Sequence, residues 1–230
     1  MPRTNGDSRD HLIRSALELF GGHGFTGASC RAIAKAAGMP MSLITYHFGG
    51  KEELYRAVAR HVAEEIARGM PKVGRIRTAD MSPADARARI RTLFAAYLAL
   101  MVQPRNAAWV GFIMREQMEP TQAFEELYQE AIGPILEELS DLVRTVSRNR
   151  LSVTEARLRA AAMFGQALVF RLARAAVLRL NHWHDMAGAN AEGVQAAVRG
   201  NIDAILDSIE SSGLETSEPA RAAQLVPRPS

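Results

Sequence analysis

Most hydrophobic residues of the chain recur at three- and four-residue spacing, which is the pattern of amphipathic helices. The first stripe follows Asp7 and Ser8, either of which can cap a helix by accepting backbone N–H groups of its first turn. Glycine takes the left-handed conformation that closes a helix, so the glycines behind the stripe predict its end. The stripe and these glycines are Leu12, Ile13, Ala16, Leu17, Leu19 and Phe20, then Gly21, Gly22 and Gly24.

Two short helices are predicted next, over about residues 29–37 and 40–48, with Gly38 at the turn between them. Ser29 is a suitable cap for the first, and Pro40 occupies a first-turn position that tolerates proline in the second. Two short helices joined this tightly must cross, so the second projects from the surface with a length that suits a DNA major groove. The pair therefore predicts a helix-turn-helix.

Longer helices are predicted for the rest of the chain. A connecting helix over 51–68 carries apolar residues at four-residue spacing. Residues 69–83 lack periodicity and predict a loop, and residues 213–230 are poor in apolar residues and predict a disordered tail. The other predicted helices span about 84–102, 106–118, 120–147, 154–181 and 189–211.

Composition favours an all-α fold. The 230 residues include 38 Ala but only 8 Phe, 4 Tyr and 2 Trp, and alanine is the strongest helix former. A single Cys excludes a disulfide framework and a cysteine-based zinc cluster. No apolar run reaches about 18 residues, and no apolar signal segment begins the chain. We therefore expect a cytoplasmic protein without a membrane partner.

The positive charge is concentrated at the start of the chain. Residues 1–60 hold 8 basic and 5 acidic residues, whereas residues 61–230 hold equal numbers of each, so the whole excess of +3 lies in the first quarter. A small basic excess is weak support for a nucleic-acid partner, but it coincides with the predicted helix-turn-helix.

The stretch from Leu12 to Tyr55 resembles the TetR/AcrR family of bacterial transcriptional regulators. The matching tracts are LELFGGHGFTGAS, RAIAKAAGM and LITYHFGGKEELYRAV. Most of residues 106–180, through the tracts FIMREQMEPTQAFEELYQEAIGPILEEL and GQALVFRLARAAVLR, are similar to the CecR-like subgroup. The resemblance implies a dimeric, all-helical repressor with a DNA-binding domain over 1–50, a connecting helix and loop over 51–83, and a ligand-binding and dimerisation domain over 84–212.

The expected DNA contacts lie on the two short helices. Arg31 is placed to pair bidentately with a guanine, although a solvated surface arginine would look the same. The exposed positions of the second helix would contact bases or phosphates of a palindromic double-stranded operator. These positions are Met41, Ser42, Leu43 and Thr45. The cap of the first helix, Ser29, is a further expected contact.

Three residues after these positions are expected to contact phosphate. Tyr46 offers a phenol, His47 an imidazole N–H, and Lys51 an ammonium group at a helix N-terminus, where free N–H groups already favour an anion. His47 as a packed, capping residue is the alternative.

The family resemblance implies a small-molecule effector among the C-terminal helices. Aromatic candidates at helical spacing are Trp109, Phe112, Phe164 and Phe170, and polar candidates are Arg115, Glu116, Gln117 and Gln166. Ordinary core packing is the alternative for the aromatic residues, and a structural ion pair is the alternative for Arg115 and Glu116.

Neither a metal site nor a cofactor is expected. Cys30 at a helix start has no second cysteine to resolve an oxidised form, and His182 and His184 are the only histidines of the C-terminal domain.

No motif for catalysis occurs, so we expect no enzyme. A helical enzyme or carrier with a vestigial helix-turn-helix, and an interaction protein whose N-terminal helices bind protein, remain the alternatives.

A homodimer is predicted through the last two long helices, 154–181 and 189–211. The first is rich in alanine, which lets helices approach closely, and both carry apolar stripes. Two such pairs from two subunits would form a four-helix bundle. The stripe residues are Leu168, Leu172, Leu178, Val194, Val198, Ile202, Ile205 and Ile209.

Overall fold

The structure, a computed structural model, describes residues 5–73 and 78–211, and these contain helices and no strand. The all-α prediction is therefore confirmed for the described residues. The predicted disordered tail, 213–230, lies outside them, as does the middle of the predicted loop over 69–83.

Three helices form the N-terminal unit: α1 (Asn5–Gly27), α2 (Cys30–Ala37) and α3 (Ser42–Phe48). Of the three glycines predicted to end α1, Gly21 and Gly22 lie inside the helix, whereas Gly24, with φ +72°, interrupts it before it resumes as far as Gly27. The stripe predicted for α1 is mostly buried, and α2 and α3 add Ile33, Ala37 and Ile44 to the same core.

The helix-turn-helix geometry follows from its caps. The Ser29 side chain accepts a hydrogen bond from the backbone N–H of Ala32 and so starts α2. Gly38 ends α2 with φ +61°, and its N–H donates to the carbonyl oxygens of Ala34 and Lys35. A residue with a Cβ is strained in this conformation, which explains why glycine marks the turn.

The connecting helix α4 (Lys51–Gly69) packs on both halves of the molecule. Its predicted stripe of Leu54, Val58, Val62 and Ile66 is buried against the neighbouring helices. The helix contacts α1 and α3 on one side and the C-terminal helices on the other. Its two ends therefore belong to different environments.

Within the described residues 78–211, the C-terminal half has seven helices and short 3-10 turns at Thr78–Asp80 and Pro104–Asn106. A π-helical segment at Tyr128–Ile132 separates two of the helices. The helices are α5 (Pro83–Val102), α6 (Ala107–Met118), α7 (Gln122–Leu127), α8 (Gly133–Val146), α9 (Val153–Leu172), α10 (Arg174–Leu180) and α11 (Gly188–Ser211).

Two predicted helices are interrupted in the structure. The predicted helix 120–147 contains the π-helical segment, directly before the pair Gly133–Pro134. The predicted helix 154–181 is divided at Ala173, where α9 and α10 meet at a bend of 73°. None of the described helices taken singly is long and apolar enough to span a membrane, and α9 and α10 meet that criterion only as this bent pair.

The start of α9 has a complete capping box. The Ser152 hydroxyl accepts from the backbone N–H of Glu155, and the Glu155 carboxylate accepts from the backbone N–H of Ser152. The Ser152 hydroxyl also donates to the Glu155 carboxylate at 2.7 Å, and this bond, together with that from the Ser152 backbone N–H, holds the pKa of the Glu155 carboxyl below its ordinary value. Arg157, one turn into α9, is exposed.

Candidate nucleic-acid interface and ligand cavity

The face of α3 that points away from the core presents the predicted DNA-contacting side chains. Met41 and Tyr46 are 56% and 71% exposed, and Ser42 and Thr45 are exposed as well. Leu43 is half-buried and packs against the core, so it offers less surface than predicted. These residues form a mixed apolar and hydroxyl surface without a charged side chain.

Two predicted contacts lie on or before α2. Arg31 lies in the first turn of α2 and is exposed, so its guanidinium group is accessible to a partner. Ser29 is also exposed, but its oxygen already accepts from Ala32. Ser29 can therefore offer DNA its hydroxyl proton while it continues to cap the helix.

Lys51 and His47 have aromatic neighbours that the sequence pattern did not reveal. The ammonium nitrogen of Lys51 lies 4.4 Å from the centre of the Phe25 ring, a cation–π contact. The half-buried His47 ring lies 5.0 Å from the Tyr46 ring in an edge-on arrangement.

Arg9 is a further cation beside α3 that sequence reasoning missed. Its guanidinium carbon lies 5.3 Å from the centre of the Phe48 ring. No local signal marked this contact, because it joins α1 to α3 across the tertiary fold. It adds a positive charge next to the helix predicted to enter the groove.

The residues considered for redox or metal chemistry do not form a cluster. Cys30 is a free, half-buried thiol at the start of α2. His182 and His184 are exposed. Among the described residues, no group of three or more histidine, cysteine or carboxylate side chains could hold a metal ion.

A buried network joins α4 to α6 where the two halves of the chain meet. The Tyr55 hydroxyl donates to Oε1 of Glu116 at 2.6 Å. Oε2 of Glu116 accepts from the backbone N–H of Thr121 at 3.1 Å and from its hydroxyl at 2.9 Å. Glu116, predicted to contact a ligand, is therefore a buried structural acceptor at this junction.

Arg115 also lies at the junction. Its guanidinium group donates to the backbone carbonyl oxygens of Gly21 and Gly22 in α1. The two helices approach so closely that a Cβ at Gly21 would overlap the carbonyl oxygen of Ala108, and a Cβ at Gly111 would lie 2.9 Å from the Gly21 carbonyl oxygen. The position of α6 is thus fixed against the DNA-binding half.

A third contact across the junction is an ion-pair cluster. Arg56 and Arg60 of α4 both pair with the carboxylate of Glu126 in α7, Arg60 at 2.9 Å. Arg56 also pairs with Glu53 at 3.0 Å. The hydrogen bond to Glu126 raises the pKa of the Arg56 guanidinium above its ordinary value, which keeps it charged.

An apolar cavity of about 320 Å³ lies within the C-terminal half. Ligand pockets in proteins start at about 300 Å³, so the space suffices for a small molecule. None of the described side chains that line it is charged. They are Ile66, Tyr97, Leu100, Met101, Trp109, Val110, Ile113, Met114, Gln117, Ile132, Ile135, Leu136, Ala161, Phe164 and Leu168, together with Gly165.

The structure brings only part of the predicted ligand set to this cavity. Trp109 and Phe164 line it, and Phe164 stacks on Tyr97 with ring centres 3.9 Å apart. Phe112 is fully buried and packs on Tyr55, with ring centres 4.8 Å apart. Phe170 packs against the core outside the cavity.

Gln166, a polar candidate, also lies outside the cavity lining. Its side-chain oxygen is buried without a hydrogen-bond partner among the described residues. Arg115 and Glu116 belong to the junction described above. Of the expected polar candidates only Gln117 lines the cavity, and the sequence did not single out the other polar lining residue, Tyr97.

Tyr97 places a hydroxyl group in an otherwise apolar wall. Burial raises the pKa of this phenol far above its ordinary value, so it is a neutral donor and acceptor at every physiological pH. Gln117 supplies an amide from α6. Helical spacing could place both residues on inward faces, but it could not distinguish a face that lines a cavity from one that is filled by core packing.

The helices predicted to form the dimer differ in their exposed surface. On α11, the predicted stripe of Val194, Val198, Ile202 and Ile209 is buried within the chain itself. This part of the predicted interface is therefore already covered, and it packs on α5, α8 and α9. On α9 and α10, large apolar side chains remain exposed, namely Leu158, Val169, Leu172 and Leu180.

Comparison with protein families gives two matches in succession along the chain. Residues 12–58 match the model described as bacterial regulatory proteins of the tetR family. Residues 86–209 match the model described as the C-terminal domain of the HTH-type transcriptional dual regulator CecR. The two matches correspond to the helix-turn-helix unit and to the helices that enclose the cavity.

Two curated relatives differ in how much of the chain they match. The HTH-type transcriptional dual regulator CecR of Shigella flexneri is 30% identical over 212 residues, which cover 90% of this chain and 95% of that protein. The HTH-type transcriptional regulatory protein RaaS of Mycobacterium tuberculosis is 51% identical over 55 residues, which cover 24% of this chain and 26% of that protein. The similarity to the second is thus confined to a short segment.

Solved structures share the fold at lower identity. AibR in complex with isovaleryl coenzyme A and operator DNA superimposes with a TM-score of 0.64 at 15% identity, over 84% of this chain and 96% of that chain. A TetR-like transcriptional regulator from Rhodococcus sp. RHA1 superimposes with a TM-score of 0.55 at 20% identity, over 94% and 97%.

Proposed function

The chain belongs to the TetR family of transcriptional regulators, with a C-terminal domain of the CecR type, and from this premise we propose that it is a repressor released from a palindromic operator by a small molecule. The observation that carries the proposal is that α6 lines the apolar cavity with one face and packs on α1 of the helix-turn-helix unit with the other. We also propose three functional segments: a DNA-binding domain over 1–50, a connecting helix and loop over 51–83, and a ligand-binding and dimerisation domain over 84–212.

DNA recognition is assigned to the exposed faces of α2 and α3. Arg31 would pair with a guanine, and Met41 would contact thymine methyl groups. Tyr46, His47 and Lys51 would bind phosphates and so set the position of α3 in the groove. Since α3 lacks long polar side chains apart from Tyr46, DNA shape would contribute to operator choice.

A homodimer would present two copies of α3 to successive major grooves, about 34 Å apart. The exposed apolar side chains of α9 and α10 support this assembly, because Leu172 and Leu180 are 60% and 80% exposed in the single chain. Burying such side chains contributes about 1.5–3 kcal/mol each. The exposed face of α11 would contribute small residues rather than its buried stripe.

The ligand would release the protein from DNA by shifting α6 and α4. Both helices line the cavity, α6 through Trp109 and Ile113 and α4 through Ile66. A ligand that binds better to the arrangement with wrongly spaced α3 helices would move the population toward it, whereas equal affinity for both arrangements would shift nothing.

The test is to fill the cavity without disturbing the core. Gly165 lines the cavity, and a Cβ there meets no atom within 4 Å, so Gly165→Leu should fold and occupy ligand space. Ala84→Leu in the exposed first turn of α5, outside the cavity lining and the proposed interface, is the control. Ala167→Phe is unsuitable, because Ala167 is fully buried in the core and lies outside the cavity.

The assay uses genomic DNA fragments that the protein retains and a compound, found by screening, that releases them. We expect Gly165→Leu to bind the fragment normally but to need at least about tenfold more compound for release, while Ala84→Leu responds like the original chain. If the Gly165→Leu variant folds, dimerises and is still released from DNA at an unchanged compound concentration, ligand binding in this cavity is contradicted.

A further inference from the structure

A polar groove adjoins the apolar cavity on the side of the DNA-binding unit. It has a volume of about 470 Å³ and lies between α1, α4 and the start of α6. Leu100 and Trp109 line both the groove and the cavity, so these two side chains form a common wall between them. Gly69 lies at the same wall, where a Cβ would overlap the side chain of Leu100.

The groove carries guanidinium groups that are free to bind an anion. Arg68 pairs with Glu65 at 2.7 Å, and His61 lies 3.8 Å from the same carboxylate. Arg14 and Arg105 form no ion pair with any of the residues that the structure describes, and both line the groove. A guanidinium group offers a planar fork of donors that matches a carboxylate or a phosphate.

The balance of charge in the groove is positive. Three arginines line it against two glutamates, Glu65 and Glu18, so the formal charge is +1 even with His61 neutral. The cavity behind the common wall has no charged lining residue among those described. A charged group inside the cavity would lose its hydration without gaining a partner, so any ligand charge belongs in the groove.

We propose that the ligand is an amphipathic anion whose apolar tail fills the cavity and whose carboxylate or phosphate head binds Arg14 and Arg105 in the groove. This inference rests on the proposed ligand-responsive function and names the chemical class of the ligand. At about 30 Å³ for a water-sized group, the 320 Å³ cavity holds a tail of about ten such groups. The tail would enter where the Leu100 and Trp109 side chains separate the groove from the cavity.

Three probes with the same ten-carbon chain test the assignment: decanoate, decyl phosphate and 1-decanol. Each is titrated into the full-length protein without DNA, near pH 7 and below its micelle concentration, and binding is followed by tryptophan fluorescence and calorimetry. We expect at least one of the two anions to bind about tenfold more tightly than the alcohol. Whichever anion binds more tightly identifies the preferred head.

The variants separate the head from the tail. Arg14→Gln with Arg105→Gln should reduce the preference for the anion to less than about twofold and leave the affinity for 1-decanol unchanged. Arg105→Gln alone should reduce it in the same direction if the double variant does not fold. Lys35→Gln, which removes an exposed positive charge on α2 outside the groove, should keep the full preference. Gly165→Leu should weaken all three probes.

The proposal is overturned if no probe binds, if 1-decanol binds as tightly as both anions, or if the arginine variants keep the preference. These failures are distinct from failure of the proposed function, because the titrations contain no DNA. An equal affinity for alcohol and acid, combined with DNA release by some other compound, would refute the amphipathic anion and leave the ligand-responsive repressor intact. A preference for the anion without any DNA release would refute the ligand-responsive repressor and leave the amphipathic anion as the ligand.

Discussion

The phenolic oxygen of Tyr55 lies 2.6 Å from Oε1 of Glu116, although the two residues are 61 positions apart in the sequence. Burial and this hydrogen bond raise the pKa of the Tyr55 phenol far above its ordinary value, so the group remains a neutral donor. The bond joins α4 to α6 and thereby connects the helix that follows the recognition unit to a helix that lines the cavity.

Removing the Tyr55 hydroxyl should destabilise the protein. Tyr55→Phe leaves a buried carboxylate oxygen without its donor, so we expect a loss of about 1–3 kcal/mol in the free energy of unfolding, measured by urea denaturation. Tyr46→Phe is the matched control, because Tyr46 is exposed and has no hydrogen-bond partner among the described residues. Equal stability of the two variants would show that the bond contributes nothing.

Adjacent glycines of α1 should respond oppositely to alanine. Gly21→Ala places a Cβ against the Ala108 carbonyl and should cost about 1–3 kcal/mol by forcing α1 and α6 apart. At Gly22 a Cβ meets nothing within 4 Å, so Gly22→Ala should be neutral or stabilise by about 0.5–1 kcal/mol. Thermal unfolding of the two variants measures both effects on stability. A similar melting temperature for the two variants would exclude the close α1–α6 contact.

Lys51 should contribute to DNA affinity without contributing to sequence choice. Lys51→Ala is expected to weaken operator and random DNA alike and to lower the slope of log affinity against log salt by about one per subunit. Lys72→Ala, an exposed lysine beyond α4, provides the control. Loss of operator binding with random DNA binding retained would mean that Lys51 contacts a base and not a phosphate.

The exposed apolar surface of α9 should be required for the dimer. Leu172→Asp places a charge among side chains that the proposed bundle buries, and it should convert the protein to a monomer at micromolar concentration. Met118→Asp is the control, since Met118 is 80% exposed at the end of α6 and lies outside α9 and α10. Light scattering distinguishes the two, and a Leu172→Asp dimer would contradict the assigned interface.

Local signals in the sequence were sufficient for the recognition unit and for most helix ends. Ser29 and Gly38 set the bounds of α2 through caps that act within a few residues, and Gly50 precedes α4 in the same way. The π-helical segment has a local cause in the sequence: Pro134 lacks an N–H and follows Gly133, so a regular helix cannot continue through it unchanged.

Tertiary relationships could not be predicted from these local signals. The bend at Ala173 contains neither glycine nor proline, and its neighbours are good helix formers. Glu116 and Trp109 lie on the same short helix with similar apolar surroundings in sequence, yet one is an acceptor at the junction and the other lines the cavity. Helical periodicity identifies an inward face, but only the packed fold determines which neighbour that face meets.

Binding to DNA beside the protein's own gene, at two salt concentrations, tests the regulatory function most directly. Fluorescence anisotropy with the full-length protein should show a two-fold symmetric site that is bound more tightly than random DNA at both concentrations, with two chains per site. Affinity for random DNA should fall as salt increases, while discrimination in favour of the site persists. Equal affinity for the gene-flanking fragment, the genomic fragments that the protein retains and random DNA, at both concentrations, would contradict sequence-specific regulation by this chain.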